Sequence, residues 1–253
     1  MPRARLLRIT TGDARLRRTF HGGVILVRVS HGFRRQARVI STDRESSSGR
    51  DTLSAMVGRT VGRDLLAVEV ASPADAEAVA AIYAPYVAET AISFETEPPS
   101  ADEFGRRISD ILAGFPWLVC RRDGEVVGYA YGHAFASRVA YSWSVETSVY
   151  VRRDAHRLGI GSRLYGALLP ILLEQGYRRA FAGVTLPNPG SVALHESLGF
   201  MPCGVYRNVG WKFGTWWDVG WWQLDLHPTP NPDPPEKPIP FPRLGLSGRD
   251  SID

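Results

Sequence analysis

The chain has 253 residues, 44% of them apolar and 22% charged, enough apolar material for one large domain or two small ones. Its apolar runs are shorter than the ~18–20 residues that cross a bilayer, and its arginine-rich start lacks the apolar centre of a secretory leader, so no membrane partner is expected. The net charge of +4 is uneven: residues 1–64 hold 14 arginines against five acidic residues, a charge of +9, and the remainder carries −5.

Such a basic arm is compatible with nucleic-acid binding. Lys212 and Lys237 are the only lysines, however, and so strong an arginine bias reads as codon usage. No nucleic-acid partner is expected. Residues 1–64 contain one short apolar run, at Gly23 to Arg28, and read as a basic, disordered extension, most clearly over residues 41–63, where little burial offsets ordering entropy. Met56 stands shortly before the first convincing strand, and a natural start near it is one reading of the upstream stretch.

The domain predicted over residues 65–226 opens with a strand, Leu65 to Ala71. Ser72 then caps a helix with Pro73 at its first position, and Val79, Ile82, Tyr83 and Tyr86 give its buried stripe up to about Glu89. An apolar connector from Ala91 to Glu95 precedes a second helix, capped by Ser100 with Glu103 three residues on. Asp123-Gly124 joins two strands, Trp117 to Arg121 and Glu125 to Tyr131, as a hairpin.

A strand over 143–151 follows, then a helix from about Gly159 to Gln175 whose Pro170 predicts a kink or an early end. A strand at Arg179 to Val184, a short helix at Pro187 to Ser197 and a final pair of strands joined at Phe213-Gly214 complete the domain. Residues 227–253 form a proline-rich tail with eight prolines between Pro228 and Pro242, predicted to be extended and mobile. The order β, α, α, β, β, β, α, β, α, β, β predicts an α/β fold, with a mixed, mostly antiparallel sheet flanked by helices. Cys120 and Cys203 lie in apolar, strand-like surroundings and read as reduced core thiols of a cytoplasmic protein. No Cys/His spacing suggests a metal site.

The chemistry concentrates in Glu146 to Gly161. Val145, Thr147, Val149 and Val151 alternate with Glu146, Ser148 and Tyr150, the period of a half-buried strand. Arg152, Arg153, His156 and Arg157 cluster where the chain turns, and Gly159 and Gly161 let backbone approach a ligand at a helix start. That is an anion cradle with a carboxylate, Glu146, at the far end of its strand. Arg152 and Arg153 read equally well as surface charges, and Tyr165 has core spacing with Leu168.

His156-Arg-Leu-Gly-Ile-Gly161, an Asn188-led helix carrying His195, and Leu198-Gly-Phe200 follow in the order of the GCN5-related N-acetyltransferase (GNAT) superfamily, which this region resembles. His156 stands where that family has Gln or Arg. The segments Phe115 to Val119, Asp123 to Gly128, Glu146 to Val151, Leu186 to Asn188, Ser191 to Glu196 and Phe213 to Gly220 look like phosphinothricin N-acetyltransferases, and the methionine sulfoximine acetyltransferases share that subfamily.

The resemblance implies the GNAT fold, acetyl-CoA as co-substrate without a metal, and a small-molecule amine of the amino acid analogue class as acceptor, giving detoxification. It implies Glu146 and His195 as the acid/base pair, with Tyr165 donating to the leaving thiolate or the developing oxyanion. It implies a cofactor site made of Val149, Tyr150, Val151, Arg152, Arg157, Leu158, Gly159, Ile160, Gly161, Ser162 and Asn188. Around the acceptor it implies Phe94, Tyr131, Arg138, Tyr141 and Ser148. The phosphinothricin enzymes carry a lysine two positions before that arginine, where this chain has Ala136, a departure that favours methionine sulfoximine or sulfone. A protein N-terminal acetyltransferase and a non-catalytic acyl-CoA sensor are the alternatives. The aromatic run Trp211, Phe213, Trp216, Trp217, Trp221 and Trp222 reads as core plus a subunit interface, and the family's usual state is a homodimer.

Overall fold

A computed structural model describes residues 66–227 and 235–246, and the backbone of three strands further upstream. Those strands, β1 (Thr10–Thr11), β2 (Ala14–His21) and β3 (Val24–Val29), form an antiparallel meander within the first of two units, Met1–Leu65. The sequence reading recognised only the apolar run of β3. The disorder predicted for residues 41–63 and the start near Met56 fall outside the described residues.

In the second unit the elements follow the predicted order: β4 (Leu66–Val70), α1 (Ala76–Glu89), α2 (Ala101–Leu112), β5 (Trp117–Arg122), β6 (Glu125–Ala134), β7 (Ser144–Val151), α3 (Ile160–Gln175), β8 (Arg179–Leu186), α4 (Pro189–Ser197), β9 (Met201–Lys212) and β10 (Thr215–Asp225). The hairpin turns are as the sequence dictates. Asp123 and Gly124 have φ of 52° and 89°, and Phe213 and Gly214 have 52° and 72°, the left-handed pair that a two-residue loop requires. Ser100 caps α2 by accepting from the Glu103 N–H at 3.2 Å.

The strands form one sheet of seven in the order β4-β5-β6-β7-β8-β10-β9. Every neighbouring pair is antiparallel except β7–β8, which is parallel. That parallel pairing covers only Ser144–Arg179, Val145–Ala180 and Glu146–Phe181. Beyond Glu146, β7 continues beside β6 while β8 continues beside β10, so the sheet opens as a fork.

Helices cover both faces, and the alternation along each strand divides the core in two. One side buries Leu118, Ala130, Val145, Leu164, Tyr165, Leu168 and Leu172 under α3. The other buries Val79, Tyr83, Tyr86, Phe104, Ile108, Trp117 and Tyr129 under α1 and α2. Gly128 and Gly132 let α3 sit close: a Cβ at either would press on Ile160 or on Leu172.

α3 runs to Gln175 as predicted, without an early end at Pro170, because Ile171 and Leu172 are buried beyond it. One expectation is corrected. The proline-rich tail, expected to be mobile, is docked over residues 235–246. Ile239 N–H donates to the Gln175 carbonyl at 2.7 Å, and Trp143 Nε1 donates to the Glu236 carbonyl at 2.8 Å. Phe241 is buried, and its N–H donates to the Gly114 carbonyl at 3.0 Å. One apolar anchor plus backbone hydrogen bonds offsets the small ordering cost of a chain that prolines already stiffen.

Candidate active site at the sheet fork

Arg152 N–H donates to the Val127 carbonyl on β6 at 2.8 Å. Alternation along β7 then turns the N–H groups of Val149 and Val151 the other way, into the fork that β8 has left. Of the expected cofactor positions Val149, Tyr150 and Val151, the first and last thus present backbone donors to the fork, and the Tyr150 N–H faces β6.

The loop after β7 supplies the cradle. Arg157 and Gly159 have φ of 63° and 77°, so successive N–H groups curl into a concavity at the N-terminus of α3, which begins at Ile160. Gly161 lies against the Leu194 side chain, where a Cβ would intrude. Arg157, Leu158, Gly159 and Ser162 are exposed at this turn, and Ile160 is buried beneath it. Arg152 is committed elsewhere, to Asp154 at 2.7 Å and Glu125 at 3.2 Å, and Arg153 pairs with Glu89. His156, the departure from the family motif, hydrogen-bonds through Nε2 to Tyr86 Oη on α1 at 2.9 Å and to the Val151 carbonyl at the end of β7 at 3.1 Å. Asn188 caps α4 by accepting from Ser191 N–H at 3.1 Å.

The proposed catalytic residues fall on opposite faces of β7. On the α3 side a buried polar chain crosses the root of the fork. Thr147 Oγ1 donates to the Phe181 carbonyl at 3.1 Å and lies 3.1 Å from Tyr165 Oη, which lies 2.9 Å from His195 Nε2. His195 Nδ1 is 2.7 Å from the Ser191 carbonyl, which only accepts, so Nδ1 carries the hydrogen. Burial lowers the His195 pKa and raises that of Tyr165. Neutral His195 therefore accepts from the Tyr165 hydroxyl, so the three hydrogens of this chain fill three of its four contacts and leave Thr147–Tyr165 without one. Either hydroxyl can re-aim its hydrogen without leaving the network.

On the α1/α2 side Glu146 shares the face of Ser148 and Tyr150. Across β6 its register partner is His133, whose Nε2 lies 3.9 Å from Glu146 Oε1. Burial raises the Glu146 pKa, and the charge of His133 opposes that rise. Tyr131, opposite Ser148, stacks on Trp117 with ring centroids 4.3 Å apart. Burial raises the Tyr131 pKa too, so this tyrosine stays protonated at neutral pH.

Arg138 and Tyr141 lie exposed at the turn between β6 and β7, with Tyr141 edge-on to Phe135 at 5.7 Å. Phe94 lies in the connector between α1 and α2 and packs on the bare backbone of Gly210, where a Cβ would collide with its ring. The structure thus brings Glu146, Tyr131 and Ser148 together, and separately Tyr165 with His195. His133, Thr147 and Lys212 were missed by the sequence reading. A lone polar residue inside a strand carries no signal until the register is known.

Fold, fork and cradle define an acetyltransferase: residues 68–221 match the family model "Acetyltransferase (GNAT) domain", and the chain belongs to that family. Among its relatives, the phosphinothricin N-acetyltransferase of Streptomyces viridochromogenes is 40% identical over 172 residues, 68% of this chain and 93% of that protein. The L-methionine sulfoximine/L-methionine sulfone acetyltransferase of Pseudomonas aeruginosa is 37% identical over 161 residues, 63% of this chain and 94% of that protein. A solved phosphinothricin acetyltransferase of Sinorhizobium meliloti, in complex with acetyl-CoA, aligns at 35% identity with a TM-score of 0.62, over 64% of this chain and 88% of that one.

Proposed function

We propose that the chain transfers an acetyl group from acetyl-CoA to the amine of a small amino acid analogue, in detoxification. The observation that carries this reading is the parallel pairing that stops at Glu146, which leaves the N–H groups of Val149 and Val151 facing an open fork with a carboxylate at its root. The left-handed turn at Arg157 and Gly159 would hold the pyrophosphate, and the β7 amides the pantetheine arm and thioester oxygen. The donor supplies an activated acyl group; the protein must free the acceptor amine of a proton.

Glu146 takes that role, directly or through a water, since burial raises its pKa toward the working range of a base. Tyr165 serves the leaving sulfur. A thiol of pKa about 8.5 is a weaker base than tyrosinate, so a tyrosine pushed further up keeps its proton and donates a hydrogen bond rather than the proton itself. Tyr165→Phe is expected to lower turnover about ten- to a hundredfold with acetyl-CoA affinity retained, as loss of one transition-state donor does. Steady-state kinetics beside calorimetric binding check this.

Arg138 is the acceptor's anion clamp. With Ala136 beside it in place of a second cation, one charged hydrogen bond worth ~1.5–3 kcal/mol is missing. Methionine sulfoximine and sulfone are therefore the favoured acceptors over phosphinothricin. Cys120 is buried as expected, whereas Cys203, expected in the core, is exposed on β9; both are free thiols, which supports a cytoplasmic setting. The edge strand β9 exposes Val205, Tyr206, Val209 and Trp211, and Trp216 follows across the turn, an apolar edge suited to a homodimer.

Thiol release from acetyl-CoA against phosphinothricin, methionine sulfoximine, methionine sulfone and short peptides tests the whole reading. Turnover with a methionine analogue is expected. Acetyl-CoA binding without turnover on any of them would leave a sensor instead.

A further inference from the structure

Glu146 must give up the proton it takes before the next turnover, and the polar chain on the α3 side offers no acceptor for it. His195 lies across the sheet, tied to Ser191 and Tyr165. We propose that His133 is the proton-accepting partner of Glu146, taking from that carboxyl the proton removed from the acceptor amine and passing it to solvent. The proposal rests on Glu146 being the base.

Three features of the geometry carry it. First, the antiparallel register sets His133 directly across from Glu146, on the same face, with Nε2 3.9 Å from Oε1. A bridging water or a small side-chain rotation closes that gap.

Second, the tautomer is set. His133 Nδ1 lies 3.2 Å from the Ala134 carbonyl, an acceptor only, so Nδ1 carries the hydrogen of the neutral ring. The bare Nε2 lone pair then faces the carboxylate. Two facing lone pairs repel unless a proton lies between them, so the pair is built to hold one.

Third, the route leads outward. The Glu146 side chain is 24% exposed and that of His133 34%. The other groups that act on Glu146 cannot receive the proton: Tyr131 beside it and Tyr165 behind β7 both have raised pKa values from burial and stay protonated. Phe181, its partner on β8, has nothing to titrate. Arg107 and Glu95 act on the same pocket through Tyr131. Imidazole is the side chain suited to both gain and lose a proton near neutrality.

The transfers balance. The amine N–H bond breaks as a Glu146 O–H bond forms; that bond then breaks as His133 Nε2–H forms, leaving an imidazolium and the restored carboxylate. The imidazolium loses its extra proton to water. His133 touches no reacting atom in this scheme and acts through Glu146, as a positioning and relay residue.

The test compares wild type, His133→Gln, His133→Ala and Glu146→Gln as full chains, with methionine sulfone and acetyl-CoA across a pH series, checking each fold by its melting midpoint. His133→Gln is expected to lower kcat about tenfold, with acetyl-CoA affinity unchanged. The acid limb of kcat/KM should move to lower pH, because a ring that already carries a second proton cannot receive the one from Glu146, and that limit goes with the ring. Added imidazole should restore part of the activity of His133→Ala and none of that of Glu146→Gln. A His133→Gln enzyme with wild-type kcat and an unmoved limb overturns the proposal, and so does a uniform loss that imidazole leaves unrepaired. In both cases a dead Glu146→Gln keeps Glu146 as the base; full activity in Glu146→Gln removes the base and the relay together.

Discussion

Glu146→Gln is expected to lower acetyl transfer about 10²–10⁴-fold, the range lost when a positioned general base is removed. Acetyl-CoA affinity should stay nearly intact, because the proposed cradle consists of the turn at Arg157 to Gly161 and the amides of Val149 and Val151, none of which depends on the Glu146 side chain. The pH dependence has a definite sign. Only the carboxylate form is a base, and burial raises the Glu146 pKa, so kcat/KM should fall on the acid side at a higher pH than an ordinary glutamate would give.

The same shift makes a stability statement. A carboxyl whose folded pKa lies above its unfolded one favours the fold most below the unfolded pKa, and that contribution is lost as pH rises through the folded pKa. At neutral pH Glu146 is therefore a cost to the fold that glutamine removes. The inactive variant should melt no lower than wild type at pH 7, and its advantage should shrink toward pH 4. A variant both inactive and less stable at neutral pH would point to misfolding rather than a lost base.

Much of this site was legible before any coordinates. The alternation from Val145 to Val151 fixed β7 and which of its residues share a face, and Gly159 marked a place for close backbone approach ahead of α3. The order of elements followed from caps, the Asp123-Gly124 turn and apolar periodicity.

What stayed hidden depends on register between distant strands. Glu146 and His195 read as one pair because each matches a family position. The sheet separates them, since Thr147 rather than Glu146 is the β7 residue that points toward α3. His133 gains meaning only when β6 slides into place opposite Glu146. The tail misled for a related reason: prolines forbid a helix or central strand, but do not forbid docking through one phenylalanine and a few carbonyls.

Lys212 is the sharpest case of a residue with no sequence signal. It ends β9 in a run of exposed aromatics, yet it is buried, with its ammonium spending all three hydrogens on carbonyls: Val87 at 2.7 Å, Ser93 at 2.7 Å and Glu95 at 2.8 Å. Burial lowers its pKa and Glu95 opposes that shift. The loop it fastens carries Phe94, which rests on Gly210 two residues before the lysine. Tyr83 and Arg107 hold the same loop by Ser93 and Glu95, at 2.6 Å and 2.8 Å.

Lys212→Met keeps length and apolar stem but leaves three carbonyls without their donor, at a cost of about 3–5 kcal/mol. For a domain of this size that is a fall in melting midpoint of roughly 6–20 °C. Lys212→Arg should rescue little, because a planar fork cannot aim at three carbonyls gathered around a point. Where the variant folds, the released Phe94 should raise KM for the acceptor about tenfold, while KM for acetyl-CoA, whose proposed cradle is at the α3 end, holds. A melting curve that matches wild type would show the three contacts to be dispensable. A matching loss in both KM values would show that Lys212 supports the whole domain rather than the wall of the proposed acceptor pocket.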